Sequence, residues 1–308
     1  MTTTLRGPAH WNRPLMFFVT AMGLVGLVAL VGIVADPRVL TGVPIWLKPF
    51  KFAVSLALYG GTIAWMLSLL PRRSRIADGA AAVVVATLAA EMVVIVLQVI
   101  RGQTSHYNET TPLNAALWQV MGTSILVLFA AHVVIAIVVL RRPLADRAAT
   151  YAIRLGLGLS LLGMLAAVPM VMPRTTSAGE VAGAHSVGVP DGGPGLPLVG
   201  WSTVGGDLRI GHFVGLHALQ ALPLLAILLT RFGSRRLDER TRARLLVVAG
   251  VAYGVLTMLL TWQALRGQPL LRPDALTLAA LTALAAATAT AATVVVRRGR
   301  RVELALAA

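Results

Sequence analysis

Eight apolar windows decide the fold class. They run near residues 14 to 35, 50 to 70, 78 to 100, 113 to 140, 149 to 172, 212 to 232, 243 to 265 and 275 to 296. Each offers about the 20 helical residues that a hydrocarbon core of about 30 Å demands. In that core a backbone must satisfy its own hydrogen bonds, so windows of this length are helices. The expected class is an all-α polytopic membrane protein with eight transmembrane helices. A composition 57% hydrophobic and 13% charged over 308 residues agrees. The first window is too long for a signal-peptide core and no clear cleavage site follows it, so it reads as a retained span.

The charges then assign the sides. With the N terminus placed in the cytoplasm, the inner segments are the N-terminal tail, residues 71 to 77, 141 to 148 and 231 to 244, and the C-terminal tail. With Arg154, just inside the fifth window, they hold 19 of the 27 basic residues, among them Arg72, Arg73, Arg75, Arg141, Arg142, Arg235, Arg236, Arg297, Arg298, Arg300 and Arg301. Against them stand five acids, Asp78, Asp146, Asp238, Glu239 and Glu303, for a net of +14, whereas the opposite side nets +1. This asymmetry predicts a cytoplasmic-membrane protein with both termini in the cytoplasm. It accounts for the overall charge of +15 without nucleic acid as a partner. The partner it implies is the lipid bilayer; oligomeric state is not legible. The absence of cysteine excludes disulfides, thiolate metal sites, iron-sulfur clusters and covalently attached c-type haem.

The third window ends Gln98-Val99-Ile100-Arg101-Gly102-Gln103 and the seventh ends Gln263-Ala264-Leu265-Arg266-Gly267-Gln268, one QxxRGQ string 165 residues after the other. In that register Phe50 falls near Phe213, and the fourth and eighth windows start 162 apart. The first and fifth are offset by only about 137, so the loop 173 to 211 holds an insertion of some 26 residues. The expectation is a 4+4 tandem duplication, residues 1 to 148 and 149 to 308, with the halves parallel because four spans return the chain to its starting side.

Polar residues are costly in hydrocarbon and ask for a reason. The densest group enters with WSTVGGDLRIGHFVGLHALQALP, residues 201 to 223, which carries Asp207, Arg209, His212, His217 and Gln220. Both lysines of a chain with 25 arginines, Lys48 and Lys51, sit in WLKPFKF, where i, i+3 spacing would aim two ammonium groups at one anion or merely anchor the interface. Glu91 is the one acid inside a window, about ten residues from its outer end, and shares a face with Gln98 and Arg101. A carboxylate there must pair with a cation, bind a proton or bond to a neighbouring helix. Glu91 has no acidic counterpart in the second half, where Leu256 falls in register.

The outer loop RGQTSHYNETTP adds His106 and Asn108, and the seventh window closes the set with Gln263 and Arg266. His132 reads more readily as a satisfied packing residue than as a ligand. His212 and His217, five apart, point about 140° away from each other on a helix, which is wrong for a metal pair. Haem or zinc ligated by two of His132, His106 and His217 is the cofactor reading left open; no metal ligand set is assigned. The turn-rich PDGGPGLP stretch makes loop 173 to 211 a lid over the outer mouth.

No GxGxxG, Walker, GxSxG, HExxH or DxxxD signature occurs, which argues against the common motif-borne enzymes. The strings RGQTSHYN and GDLRIGHFVGLHALQ resemble those of a group of uncharacterised bacterial multi-pass membrane proteins, a resemblance that implies no activity. The eight-helix 4+4 layout looks like that of haem A synthase, but that family's paired helix histidines are missing here, so the likeness implies layout alone.

The composite expectation is a polar cavity open to the outer face, lined by Lys48, Lys51, Glu91, Gln98, Arg101, His106, Asn108, Asp207, Arg209, His212, His217, Gln220, Gln263 and Arg266. It suits a permease for a small anionic or polar ligand or a lipid headgroup, with Glu91 as proton or charge-balancing site. The alternatives are a membrane-embedded enzyme, either a haem or quinone oxidoreductase or a headgroup transferase using His217 or His212, and a sensory or assembly subunit.

Overall fold

A computed structural model describes residues 11–142, 146–176, 179–181, 183–234 and 236–307; the N-terminal tail and Arg235, counted above on the basic side, lie outside them. Among the described residues the chain forms eight long helices, α1 (Arg13–Ala35), α2 (Leu47–Ser68), α3 (Arg75–Ile100), α4 (Pro112–Leu140), α5 (Arg147–Leu165), α6 (Arg209–Gly233), α7 (Glu239–Leu265) and α8 (Ala275–Ala307). All eight are long and apolar enough to cross a membrane. The protein is a multi-pass membrane protein of helical-bundle type. On α1, Phe17, Val31 and Val34 are largely exposed, an arrangement that fits contact with lipid tails and would be unfavourable in water.

The helices start where a side chain can accept from their free N–H groups. Asn12 accepts from Leu15 N, Ser74 from Ala77 N, Thr111 from Asn114 N, Asp146 from Ala149 N, Asp238 from Thr241 N and Asp274 from Thr277 N. Neighbours then follow a recurring order: α1 packs on α2, α3 on α4, and α3 also touches α1 and α2; α5 packs on α6, α7 on α8, and α7 also touches α5 and α6. The two sets meet along α4 and α5, and more slightly along α2 and α6. The main apolar core lies in the first set but takes in Ile153, Leu157 and Leu219. Between α5 and α6 the backbones touch at Gly163 and Gly215, where a Cβ on either would run into the other helix.

Strands are minor: β1 (Val39–Leu40) pairs with β2 (Val43–Pro44), β3 (Arg174–Thr176) with β4 (Gly179–Val181), and β5 (Ser186–Val187) with β6 (Gly206–Asp207). The β5–β6 pair lies on the end of α7. Met170, Leu208 and Ala264, with Tyr107 and Val187 beside them, bury its underside. Thr41 lies against Gly192 and Gly183 against Tyr107. The described part of the 173 to 211 segment thus rests on the turns that close the same end of the bundle, as a lid.

Candidate functional site

The two QxxRGQ strings fold into two similar corners, each completed within its own helix pair. After α3, Gly102 takes a positive φ of 67°, and its N–H and that of Gln103 donate back to Val99 O and Gln98 O. After α7, Gly267 takes φ 73°, and its N–H and that of Gln268 donate to Ala264 O and Gln263 O. This is the glycine-closed C-terminus that the left-handed conformation favours. The first Gln of each string then donates to a carbonyl six residues on: Gln98 to Thr104 O at 3.1 Å, Gln263 to Pro269 O at 2.8 Å.

The arginine of each string ties the corner to the next helix. Arg101 donates to Gln98 Oε1 and Asn114 Oδ1; Arg266 donates to Asp274 and Thr277 Oγ1, and its guanidinium lies 4.6 Å from the Trp262 ring. Asn108 belongs to the first corner, donating to Thr104 O at 3.0 Å and accepting from Thr110. A shallow crevice with no room for a water molecule borders the second corner, and of the expected site residues only Gln263 lines it. Gln98, Arg101 and Asn108 are thus brought together, Gln263 and Arg266 are brought together, and the hydrogen bonds of each set stay in its own corner.

A different group occupies the space between α2, α3, α4 and the lid. Its hub is His106, whose Nδ1 lies 3.2 Å from Lys48 Nζ and 3.2 Å from Ser105 Oγ. The rings of Phe52, Tyr107, Trp118 and His185 surround it with centroids 5.4 to 6.4 Å away, the His185 ring stacked at 30°. Lys48 is placed by the first turn of α2, which starts once Trp46 has anchored by an indole bond to Asp36 at 2.8 Å. Lys48 is also the cation whose charge reaches Glu91. Glu91 lies nine residues before the end of α3, roughly 14 Å below it at 1.5 Å per residue. It is 3% exposed, and its Oε1 has no hydrogen-bond partner among the described residues.

The lid contributes His185, whose Nδ1 lies 2.9 Å from Asp191 Oδ2. Sequence patterning missed both, since they stand six apart in a stretch without helical or strand period; the signal available was a histidine and an acid in an otherwise uncharged turn-rich run. Burial, together with the charge of Lys48, pushes the His106 imidazole well below its usual range. Burial also pulls His185 down, against the opposing bond to Asp191. Burial alone would raise the Asp191 carboxyl, but its bonds from His185 and Ser186 win and hold it below the ordinary carboxylate range.

Asp207 and Arg209 fasten the lid's return to α6. Fully buried Asp207 accepts from Ser202 N at 2.8 Å and from Arg209 Nε at 2.9 Å, and Arg209 also donates to Gly200 O. Lys51 donates to Val199 O at 3.1 Å, so one of the two α2 lysines bonds the lid directly. The remaining histidines lie elsewhere. His212 bonds Gly163 O at 2.8 Å; exposed His217 approaches Gln220 at 3.4 Å, and Gln220 donates to Thr62. His132 is satisfied on both nitrogens, by Tyr59 at 2.6 Å and Ser160 at 2.9 Å. Among the described residues, groups of three or more His, Asp or Glu able to hold a metal ion do not occur. No known protein family, no curated protein and no solved structure matches this chain.

Proposed function

We propose that this protein is a permease coupling a small anion to a proton, with the anion held at Lys48 beneath the lid and the proton on Glu91. The carrying observation is the buried Glu91 Oε1, which has no hydrogen-bond partner among the described residues and lies within the field of a lysine that already bonds His106. In this group the cations are Lys48, Lys51 and Arg209, and the acids besides Glu91 are Asp191 and Asp207. With Glu91 ionised the charges balance; with Glu91 protonated one positive charge is left over, and an anion restores neutrality. An anion and the Glu91 carboxylate therefore compete for Lys48, so anion binding favours Glu91 protonation and protonation favours the anion. That reciprocity is the thermodynamic core of co-transport. The lid must lift for a ligand to arrive, because His106, which bonds Lys48, is stacked against His185 of the lid.

An embedded enzyme using His212 or His217 as base draws less support, since His212 is engaged with Gly163 O and His217 lies on the exposed side of α6. The test is a liposome assay with a luminal pH dye and external inorganic phosphate or small carboxylates. The expected result is anion-dependent acidification of the lumen that Glu91→Gln abolishes. Undiminished acidification in Glu91→Gln overturns the reading.

A further inference from the structure

We infer that the stacked imidazoles of His185 and His106 form the proton port of the lid, carrying protons between bulk water and the Lys48–Glu91 pair. The inference rests on the reading of Glu91 as the proton site.

Three observations support it. The groups form a continuous series from surface to interior: Asp191 and His185 retain 31% and 24% side-chain exposure, His106 lies behind His185, Lys48 bonds His106, and Glu91 lies deepest. Second, their hydrogen bonds set the tautomers. The Lys48 ammonium donates to His106 Nδ1, which leaves the neutral ring's proton on Nε2, and His185 donates from Nδ1 to Asp191, which leaves its Nε2 bare. A proton from water is thus received at His185 Nε2, where Asp191 stabilises the imidazolium. Third, both imidazoles are held neutral by burial, so neither blocks the route with a standing charge.

The transfer balances without any further reagent. Lys48 gives a proton to Glu91 Oε1 through a bridging water; the His106 ring turns over so that its Nε2–H restores the proton to the Lys48 amine, and its bare Nδ1 takes one from protonated His185. With centroids 6.4 Å apart, this last pass needs one bridging water or a ring rotation. Only Glu91 changes charge over the cycle. The charged groups acting on the two rings are Lys48 from α2 and Asp191 and Arg209 from the lid and the start of α6; α4 contributes the uncharged Trp118 ring.

The test uses the full chain in liposomes and a pH jump, following the carboxylic C=O infrared band assigned to Glu91 by its loss in Glu91→Gln. His106→Phe and His185→Phe are expected to slow the rise of that band by about a hundredfold, the scale of a lost acid–base group, while leaving its pH midpoint in place. In His185→Gly, added imidazole is expected to restore the rate, a rescue that a purely structural role would not give. An unchanged rate in both Phe variants, with the Glu91 band present, overturns the port and leaves the function standing. Absence of any band sensitive to Glu91→Gln overturns both.

Discussion

Replacing Glu91 by methionine is expected to leave the protein as stable as before, or more so, while removing its proton-coupled activity. The carboxylate is 3% exposed and Oε1 has no donor among the described residues, so the bundle bears the cost of a buried orphan oxygen. Such a group costs about 1–3 kcal/mol. Methionine has similar length and adapts to irregular gaps, and its neighbours along α3, Leu88, Met92 and Ile95, are buried and apolar. Against this gain stands the lost attraction to partly buried Lys48, so the net expectation is about 0–2 kcal/mol of stabilisation, a rise of up to roughly 5 °C in Tm. The assay is thermal loss of native tryptophan fluorescence in a mild detergent. Gln98→Met, seven residues further along the same helix, is the control. It strips donors from Thr104 O and Asn114 Oδ1 and an acceptor from Arg101, and is expected to cost about 2–4 kcal/mol as several buried partners lose their bonds. A fall of more than about 2 °C for Glu91→Met would show that the carboxylate holds the bundle together, and would refute the reasoning that gives it a proton.

Gly102→Ala and Gly267→Ala each force a side chain into the left-handed region and are expected to cost about 1–2 kcal/mol apiece. Because the two corners share no hydrogen bond, the double variant should show additive loss in the same unfolding assay; strong non-additivity would mean that the corners are coupled. The depressed imidazoles of His106 and His185 set the sign of a pH effect. The unfolded chain binds protons at histidine before the folded one does, so their stability contribution is whole above the unfolded value of about 6.5 and is lost as pH falls below it towards the folded values. Tm is therefore expected to fall from pH 7 to pH 5, and the fall should be shallower in His106→Phe.

How much was legible in the sequence depended on the range of the interactions. Hydropathy located all eight helices, yet set the starts of α2, α3 and α6 three residues late, at 50, 78 and 212 against Leu47, Arg75 and Arg209. The missing turns are polar, and hydropathy records preference for lipid, not the capping that begins a helix. The reading of His132 as a satisfied packing residue agrees with its bonds to Tyr59 and Ser160. The described part of loop 173 to 211, expected as a lid, lies over the bundle end, although its His185–Asp191 pair left no pattern to find.

The sequence by itself determined the membrane class, the number of spans and the two QxxRGQ corners, because helix length, glycine conformation and capping act over a few neighbouring residues. Only the tertiary structure decided which scarce polar groups meet. It kept Arg101 and Arg266 in their own corners and joined Lys48 to His106 across 58 residues and Lys51 to the lid across 148. The physical reason is that a buried polar group takes whichever partner helix packing brings within about 3 Å, and that choice belongs to the packing of helices far apart along the chain.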